Sequence, residues 1–259
     1  MTVMESSDGA RRTILVLAPT YERSGGQVTG FPDELAHAIA QRGADTSDID
    51  VRPLSTDQID AAAGILDEAS GVLFVLSATG TIPDTVIEAW DACDDLGLPR
   101  AIVICDIDSA EAQTETLIEE CQEALGDMVP VLVVHLPVLS DGEQPIGLID
   151  FLSSEIIDYS SGRPHRVSTE DRHRDLVRDE RSWLLDAIIS ETENDALVSA
   201  YLAGDPIEPA TLTHEFRNAI RRGRLHPILL TAAQPPDFGI DHIIDIVSFG
   251  FPRTADARP

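Results

Sequence analysis

The chain has 259 residues, with 46 acidic and 18 basic side chains, and a formal net charge of -28 at pH 7. It contains no lysine, so all 18 of these basic residues are arginines. This excludes mechanisms with an obligatory lysine, including a Schiff base and the lysine of a Walker phosphate loop. The acidity also argues against direct binding to nucleic acid, which depends on neutralising phosphates. We expect instead a basic partner, or a basic patch on a large assembly.

The size and cysteine content place the chain in a broad class. Its length suits either one α/β domain with an insertion or two small domains. Three cysteines without a Cys-x-x-Cys spacing indicate reduced thiols. The first residues lack the apolar core of a signal peptide, and the early apolar run at 14–18 is too short to span a bilayer. We therefore expect a cytoplasmic protein that does not associate with membranes.

The first half of the chain alternates between strand and helix patterns. Continuous apolar runs predict strands at 13–18, 71–78 and 101–105, and a weaker run predicts an edge strand at 49–54. Helical spacing of apolar residues predicts helices at 32–42, 57–69 and 85–96, and a fourth that Ser109 could cap and Gly126 ends. This alternation predicts an α/β fold with a doubly wound, mostly parallel sheet.

The pattern changes at about Met128. A strand at 131–136 and an apolar segment at 147–157 are followed by a polar stretch at 160–168. Charged helices are predicted at 170–189, 193–203 and 212–222, before a buried strand at 227–231 and a final helix at 240–247. We therefore predict one α/β domain formed by residues 1–128 and 226–259, interrupted by an inserted α+β subdomain at 129–225.

Several segments between 71 and 252, in collinear order, resemble the GTP-binding domain of bacterial elongation factor G with its inserted G-prime subdomain. The segments that carry the resemblance are Gly147-Leu-Ile-Asp-Phe-Leu152, Asn194-Asp-Ala-Leu197, Tyr201-Leu-Ala-Gly204, Gly223-Arg-Leu-His-Pro-Ile-Leu-Leu-Thr-Ala-Ala233 and Gly239-Ile-Asp-His-Ile-Ile-Asp245. The resemblance implies a fold like that of the P-loop GTPases, with a G-prime-like insertion. The chain ends where the family's nucleotide domain ends, so we expect a truncated, stand-alone relative.

The chain departs from the family where phosphate and metal would bind. The family's phosphate loop ends in Gly-Lys-Thr, whereas this sequence has Ala18-Pro-Thr-Tyr-Glu-Arg-Ser-Gly25. Glu22 would repel phosphate, and Arg23 stands where the family has glycine, so its Cβ would obstruct a close approach. The Asp-x-x-Gly motif of the second switch is absent from 50–58, and the short segment before residue 72 indicates that the first switch is deleted. Hydrolysis needs a metal–phosphate clamp and a positioned water, and this sequence shows neither.

The guanine-recognition motifs survive only in part. The family's Asn-Lys-x-Asp corresponds to Cys105-Asp106-Ile107-Asp108, so only Asp108 remains as a guanine acceptor. Its Ser-Ala motif falls on Thr231, Ala232 and Ala233. Asp108 could instead cap the next helix or be left over from ancestry, and Ser24, Gly25 and Gly26 could form either a phosphate-binding nest or a plain flexible loop. The remnant nucleotide site consists of Ser24, Gly25, Gly26, Asp108, Thr231, Ala232 and Ala233.

These observations lead to two functional hypotheses, and a third possibility is a decaying gene fragment with no selected role. The first is a degenerate pseudo-GTPase with no cofactor, no metal and no catalytic residues. In the resembled family the G-prime subdomain docks the ribosomal stalk protein, so the ribosome or that protein is the partner implied for the 129–225 insertion. The second is a weak guanine-nucleotide-binding protein or GTPase that holds GTP or GDP with Mg²⁺ through a noncanonical phosphate loop. His165, His173 and Asp171 could be taken as metal ligands, but their spacing is typical of solvated side chains.

Overall fold

The structure is a computed structural model that describes residues 12–19, 31–42, 49–56 and 63–252. Strands and helices alternate through its first half, as the apolar pattern predicts. In chain order these elements are β1 (Arg12–Ala18), α1 (Phe31–Arg42), β2 (Ile49–Ser55), α2 (Ala63–Leu66), β3 (Gly71–Ser77), α3 (Asp84–Asp95), β4 (Arg100–Cys105) and α4 (Thr114–Leu125).

The second half adds six strands and five helices among the described residues. They are β5 (Val131–Val133), β6 (His135–Leu139), β7 (Pro145–Asp150), β8 (Glu155–Asp158), β9 (His165–Ser168), α5 (Asp171–Leu176), α6 (Arg178–Glu191), α7 (Asp195–Ala203), α8 (Pro209–Arg221), β10 (His226–Leu230) and α9 (Ile240–Asp245). A π-helical turn, Ile246–Gly250, follows α9 directly.

The main sheet has six strands in the order β2-β1-β3-β4-β10-β5, and every pairing in it is parallel. Every residue of β3, β4 and β10 is buried, because helices cover both faces of the sheet. One face packs against α1, α6, α8 and α9, and the other packs against α3 and α4. The predicted α/β fold with a mostly parallel sheet is confirmed, and β2 lies at the edge of the sheet as predicted.

The smaller sheet is antiparallel, in the order β6-β7-β8-β9. The strand predicted at 131–136 is in fact divided: β5 pairs with β10 in the main sheet, and β6 pairs with β7 in the small one. The chain crosses between the sheets at Val134, which is buried. We call the small sheet together with α5, α6, α7 and α8 the inserted unit. The exact boundaries at 129 and 225 stay a prediction.

Two predicted helices have different limits in the structure. The helix after Cys105 begins at Thr114, and Ser109 instead accepts a hydrogen bond from the N–H of Glu111 in a turn, at 3.3 Å. The helix predicted at 170–189 is divided into α5 and α6 at Val177. Of the helix predicted at 57–69, residues 63–69 are described, and α2 ends at Leu66, three residues before the predicted end.

The interleaved charges of α5 and α6 form surface pairs. Arg172 contacts Glu170 at 2.9 Å, Arg174 contacts Asp171, and Arg178 contacts Asp175. All three cysteines of the chain are free and buried. Across the ranges that the structure describes, no helix is long and apolar enough to cross a membrane.

Candidate functional site

The carboxyl ends of β3, β4 and β10 meet at one edge of the main sheet, where ligands of open parallel sheets usually bind. We call this the carboxyl edge. Asp108 follows β4 and Thr231, Ala232 and Ala233 follow β10, so the structure brings these predicted residues together. Ser24, Gly25 and Gly26 lie outside the described residues, and their place in the site stays a prediction.

Asp108 joins the two loops at this edge. One carboxylate oxygen accepts a hydrogen bond from the backbone N–H of Ala233 at 3.2 Å, and the other accepts from the N–H of Gln234 at 3.0 Å. An ionised carboxylate has about four acceptor positions, so both oxygens keep some capacity. The interpretation of Asp108 as a helix cap is wrong, because α4 begins at Thr114.

The Thr231 side chain points into its own loop. Its hydroxyl donates to the carbonyl of Phe238 at 2.7 Å, and its backbone N–H donates to the carbonyl of Ile104 at 2.9 Å. Thr231 is completely buried and Ala232 is nearly so, whereas Ala233 is exposed. The N–H of Ala233 donates to Asp108, so the Thr231 hydroxyl and the N–H groups of Thr231 and Ala233 all have partners within the protein.

Asp106 stands where the resembled motif has lysine. Its backbone adopts the left-handed conformation, with φ 60°, which aspartate tolerates better than most residues. Its carboxylate accepts from the Ser77 hydroxyl at 2.6 Å, and Ser77 also contacts the Thr79 hydroxyl at 2.9 Å. Ser77 was missed from the sequence. The signal that could have found it is a polar residue at the end of an otherwise apolar strand.

The loop after β10, residues 231–239, packs against the inserted unit. Gly239 has φ +76°, and a Cβ there would clash with the carbonyl oxygen of Leu230. Its N–H donates to the Tyr159 hydroxyl oxygen at 3.2 Å, and the Tyr159 ring lies 4.7 Å from that of Phe238. Burial raises the pKa of Tyr159 to about 12. Tyr159 was also missed, because an aromatic residue after an apolar strand looks like any core residue.

A buried histidine pair lies beside this loop. Nε2 of His135 is 3.0 Å from Nδ1 of His242, and the ring centroids are 3.8 Å apart. Burial lowers the pKa of His135 to about 4 and that of His242 to about 3, so both rings are neutral at pH 7. Burial favours the neutral form of Asp150, but the two nearby histidines and the Ser153 and Leu152 donors hold its pKa below the ordinary value. Arg166 contacts Asp150 at 3.2 Å.

The structure gives no metal site in the parts of the chain that it describes. No group of three or more histidine, cysteine, aspartate or glutamate side chains there could hold an ion. Of the candidates weighed from the sequence, His173 accepts a hydrogen bond from the N–H of Glu170 at 3.2 Å, and Asp171 contacts Arg174. His165 faces Asp158 at 3.9 Å. These side chains have local structural partners.

Three relatives illustrate what the chain is similar to. It is 28% identical over 187 residues to an elongation factor G-like protein of Mycobacterium tuberculosis, covering 72% of this chain and 25% of the relative. It is 22% identical over 204 residues to elongation factor G of Mycoplasma pneumoniae, covering 78% and 28% of the two chains. It is 24% identical over 201 residues to mitochondrial ribosome-releasing factor 2 of Anopheles gambiae, covering 74% and 26%.

The chain resembles elongation factor G. The resemblance predicted from the separate segments is therefore confirmed, and it relates the chain to translation factors. The chain spans about a quarter of the length of these relatives. A crystal structure of a Thermus thermophilus protein superposes with a TM-score of 0.69 at 22% identity, covering 94% of this chain and 40% of that one, and supports the fold. No protein-family model matches the chain.

Proposed function

We propose that this chain is a pseudo-GTPase related to elongation factor G, a cytoplasmic, translation-associated binding or regulatory protein that does not hydrolyse GTP. The observation that carries the proposal is the hydrogen bonding within the protein at the carboxyl edge. The retained acceptor, Asp108, bonds the backbone of the opposite loop, and the Thr231 hydroxyl bonds Phe238. The Asp108 carboxylate and the Thr231 hydroxyl are thus engaged within the protein.

Charge at the same edge supports the loss of nucleotide chemistry. Asp106 replaces the lysine of the guanine motif with a carboxylate, and Cys105 replaces the asparagine with a buried thiol. Phosphoryl transfer relies on cations that neutralise the phosphates, usually a lysine together with Mg²⁺. A chain without lysine and with a net charge of -28 lacks the first of these.

For a partner we propose the ribosome, through its stalk protein, bound at the inserted unit. The relatives are named elongation factors and a ribosome-releasing factor, which supports this class of partner. Leu176, the last residue of α5, and Trp183 on α6 are 61% and 59% exposed. The first turn of α6 carries Asp179 and Glu180 beside Arg178 and Arg181, so these exposed apolar side chains stand among charges of both signs. A tryptophan at the centre of an interface commonly contributes much of the binding energy.

Co-sedimentation with purified ribosomes tests this partner. Wild-type protein should pellet with ribosomes, and Trp183→Ala should reduce the bound fraction about tenfold, as expected for a tryptophan that anchors an interface. Leu96→Ala is the control, because Leu96 is an apolar residue with 45% exposure at the end of α3, outside the inserted unit. Wild-type protein that stays in the supernatant, or equal losses in the two variants, would contradict the proposed partner site.

A weak guanine-nucleotide-binding protein is the alternative function. It is favoured by one observation: Asp108 is only half-buried, and its oxygens retain acceptor capacity beyond the two backbone bonds. Under this alternative, GTP or GDP with Mg²⁺ would be held by Ser24, Gly25, Gly26, Asp108 and the 231–233 backbone. Within the described part of this set, the Thr231 hydroxyl and the N–H groups of Thr231 and Ala233 already have partners.

Titration with a fluorescent guanine nucleotide, with and without Mg²⁺, decides between the two functions. The pseudo-GTPase predicts no saturable binding up to ~100 µM, which corresponds to a binding free energy weaker than about -5.5 kcal/mol. The alternative predicts Mg²⁺-dependent binding that Asp108→Ala weakens. Asp127→Ala is the control, since Asp127 is exposed and precedes β5, away from the carboxyl edge.

A further inference from the structure

The inserted unit reaches the carboxyl edge through one buried side chain. Tyr159 follows β8 of the small sheet, yet it is almost completely buried against the loop at 231–239. Its backbone belongs to the inserted unit, where its N–H donates to the carbonyl of Ile146 at 2.9 Å. Its hydroxyl contacts the main domain, where it accepts a hydrogen bond from the N–H of Gly239 at 3.2 Å. Tyr159 therefore joins the two units within a single residue.

The loop at 231–239 is held from three sides. Asp108 bonds its outer end at Ala233 and Gln234, and the Thr231 hydroxyl closes it internally on the Phe238 carbonyl. Tyr159 supports its inner end at Gly239. Gly239 follows Phe238 directly in sequence and packs closely against the Leu230 backbone, in a conformation that favours glycine. Movement at the inner end therefore displaces the Phe238 carbonyl on which Thr231 depends.

A second contact fastens the segment that follows the loop. Helix α9 begins at Ile240, and its His242 ring bonds the His135 ring at the start of β6. His135 pairs with Asp150 across the small sheet, where Arg166 also contacts the Asp150 carboxylate. The loop and the helix after it are thus attached to the inserted unit at two successive points, three residues apart in sequence.

We propose that Tyr159 is a positioning residue for the 231–239 loop, and that through it the small sheet and the carboxyl edge respond to each other. A change in the Asp108 contacts then alters the small sheet, and a change in the small sheet alters how Asp108 and Ala233 are presented. Which partner or ligand binds at the small sheet or at the carboxyl edge rests on the proposed function. The coupling itself depends only on contacts within this chain and needs no partner or ligand.

Tyr159→Phe separates positioning from packing. Phenylalanine keeps the ring contact with Phe238 and removes only the acceptor of the Gly239 N–H. Tyr201→Phe is the matched control: it removes a tyrosine hydroxyl that donates to Asp186 at 2.6 Å, wholly within the inserted unit. Asp108→Ala perturbs the loop from its opposite end.

Amide hydrogen exchange read by mass spectrometry tests the coupling on the full chain. Tyr159→Phe should raise exchange across 231–239 about tenfold while β3 and β4 stay protected, and Tyr201→Phe should leave 231–239 unchanged. In the reverse direction, Asp108→Ala should raise exchange in β7 and β8. Combining the two substitutions should raise exchange in the loop by less than the product of the separate effects, because both act on one unit.

Three results would overturn the proposal. They are unchanged exchange at 231–239 in Tyr159→Phe, a uniform rise that includes β3 and β4, and an effect of Asp108→Ala confined to the loop. The first would make the hydroxyl dispensable, the second would make Tyr159 a general stabilising residue, and the third would leave the small sheet uncoupled. Failure to bind ribosomes would remove the proposed function and leave this exchange result intact.

Discussion

His226 is a buried histidine whose environment requires it to be neutral, and its titration can be predicted. It is the first residue of β10, and its ring packs edge-on against Trp90 at 5.1 Å. Nη2 of Arg100 lies 2.9 Å from its Nε2. A guanidinium only donates hydrogen bonds, so Nε2 must accept and cannot carry a proton. Burial, and then the charge of Arg100, lower the pKa of His226 to about 3.

This shift makes part of the stability depend on pH. The folded-state pKa lies below the ordinary value of 6.5, so below that pH the unfolded chain binds a proton that the folded chain does not. The contribution is complete above pH 6.5 and is lost as pH falls towards 3. The loss approaches about 1.4 kcal/mol per pH unit, or about 2.3 kcal/mol between pH 6.5 and 4.5.

His226→Gln measures this contribution. Glutamine offers Arg100 an acceptor oxygen and does not titrate, so the variant should lose about 2.3 kcal/mol less stability than wild type between pH 6.5 and 4.5. Urea unfolding followed by circular dichroism at constant ionic strength gives both curves. His135, His242 and the carboxylates titrate in both proteins and cancel in the difference.

The control for this measurement is His214→Gln, because His214 is exposed on α8 and its replacement removes no buried imidazole. It should follow the wild-type pH dependence. Parallel curves for wild type and His226→Gln would refute the reasoning, since they would mean that the folded protein protonates His226 as readily as the unfolded chain does.

Three further predictions concern buried groups elsewhere. Arg100→Met should lower the free energy of unfolding by about 2–4 kcal/mol in urea titrations, because it strips His226 of its donor and removes the Trp90 contacts; a loss below about 1 kcal/mol would contradict this. Gly239→Ala should cost at least about 2 kcal/mol in the same assay, since the φ of +76° and the Leu230 carbonyl oppose a Cβ; wild-type stability would disprove it. Burial raises the pKa of Cys93 and Cys121 to about 12, so peptide mapping after a brief thiol-reagent pulse at pH 8 should show both unlabelled, and rapid native labelling would count against the burial.

The strands of the main sheet could be predicted because their signal is local. Runs such as those in β3 and β4 are apolar at every position, which occurs when helices cover both faces of a parallel sheet. The limits of α5 and α6 could not be predicted, because the charged and apolar pattern continues through Val177 while the backbone leaves helical geometry there, with φ -103° and ψ 9°. Likewise, nothing in the apolar run at 131–136 shows that two sheets share it.

The sequence predicted which residues form the candidate site but not their hydrogen-bond partners. The resemblance placed Asp108 and Thr231–Ala233 at one edge, and the structure brings them together. Their hydrogen-bond partners are separated in sequence by as many as 126 positions, as between Asp108 and Gln234, so no local pattern records them. Tyr159 and Ser77 were also missed: the Tyr159 hydroxyl meets Gly239, 80 positions away, and the Ser77 hydroxyl meets Asp106, 29 positions away.

The sequence by itself determined the absence of lysine, the net charge, the alternation of strands and helices, and the resemblance to elongation factor G, since these depend on composition and on patterns within short windows. The tertiary structure alone decided which acceptors still have capacity for a ligand. It turned the Thr231 hydroxyl onto Phe238, engaged Asp108 with the facing backbone and placed Tyr159 under Gly239. Hydrogen-bond capacity is used up by whichever partners folding brings within about 3 Å, and that is a property of the packed chain.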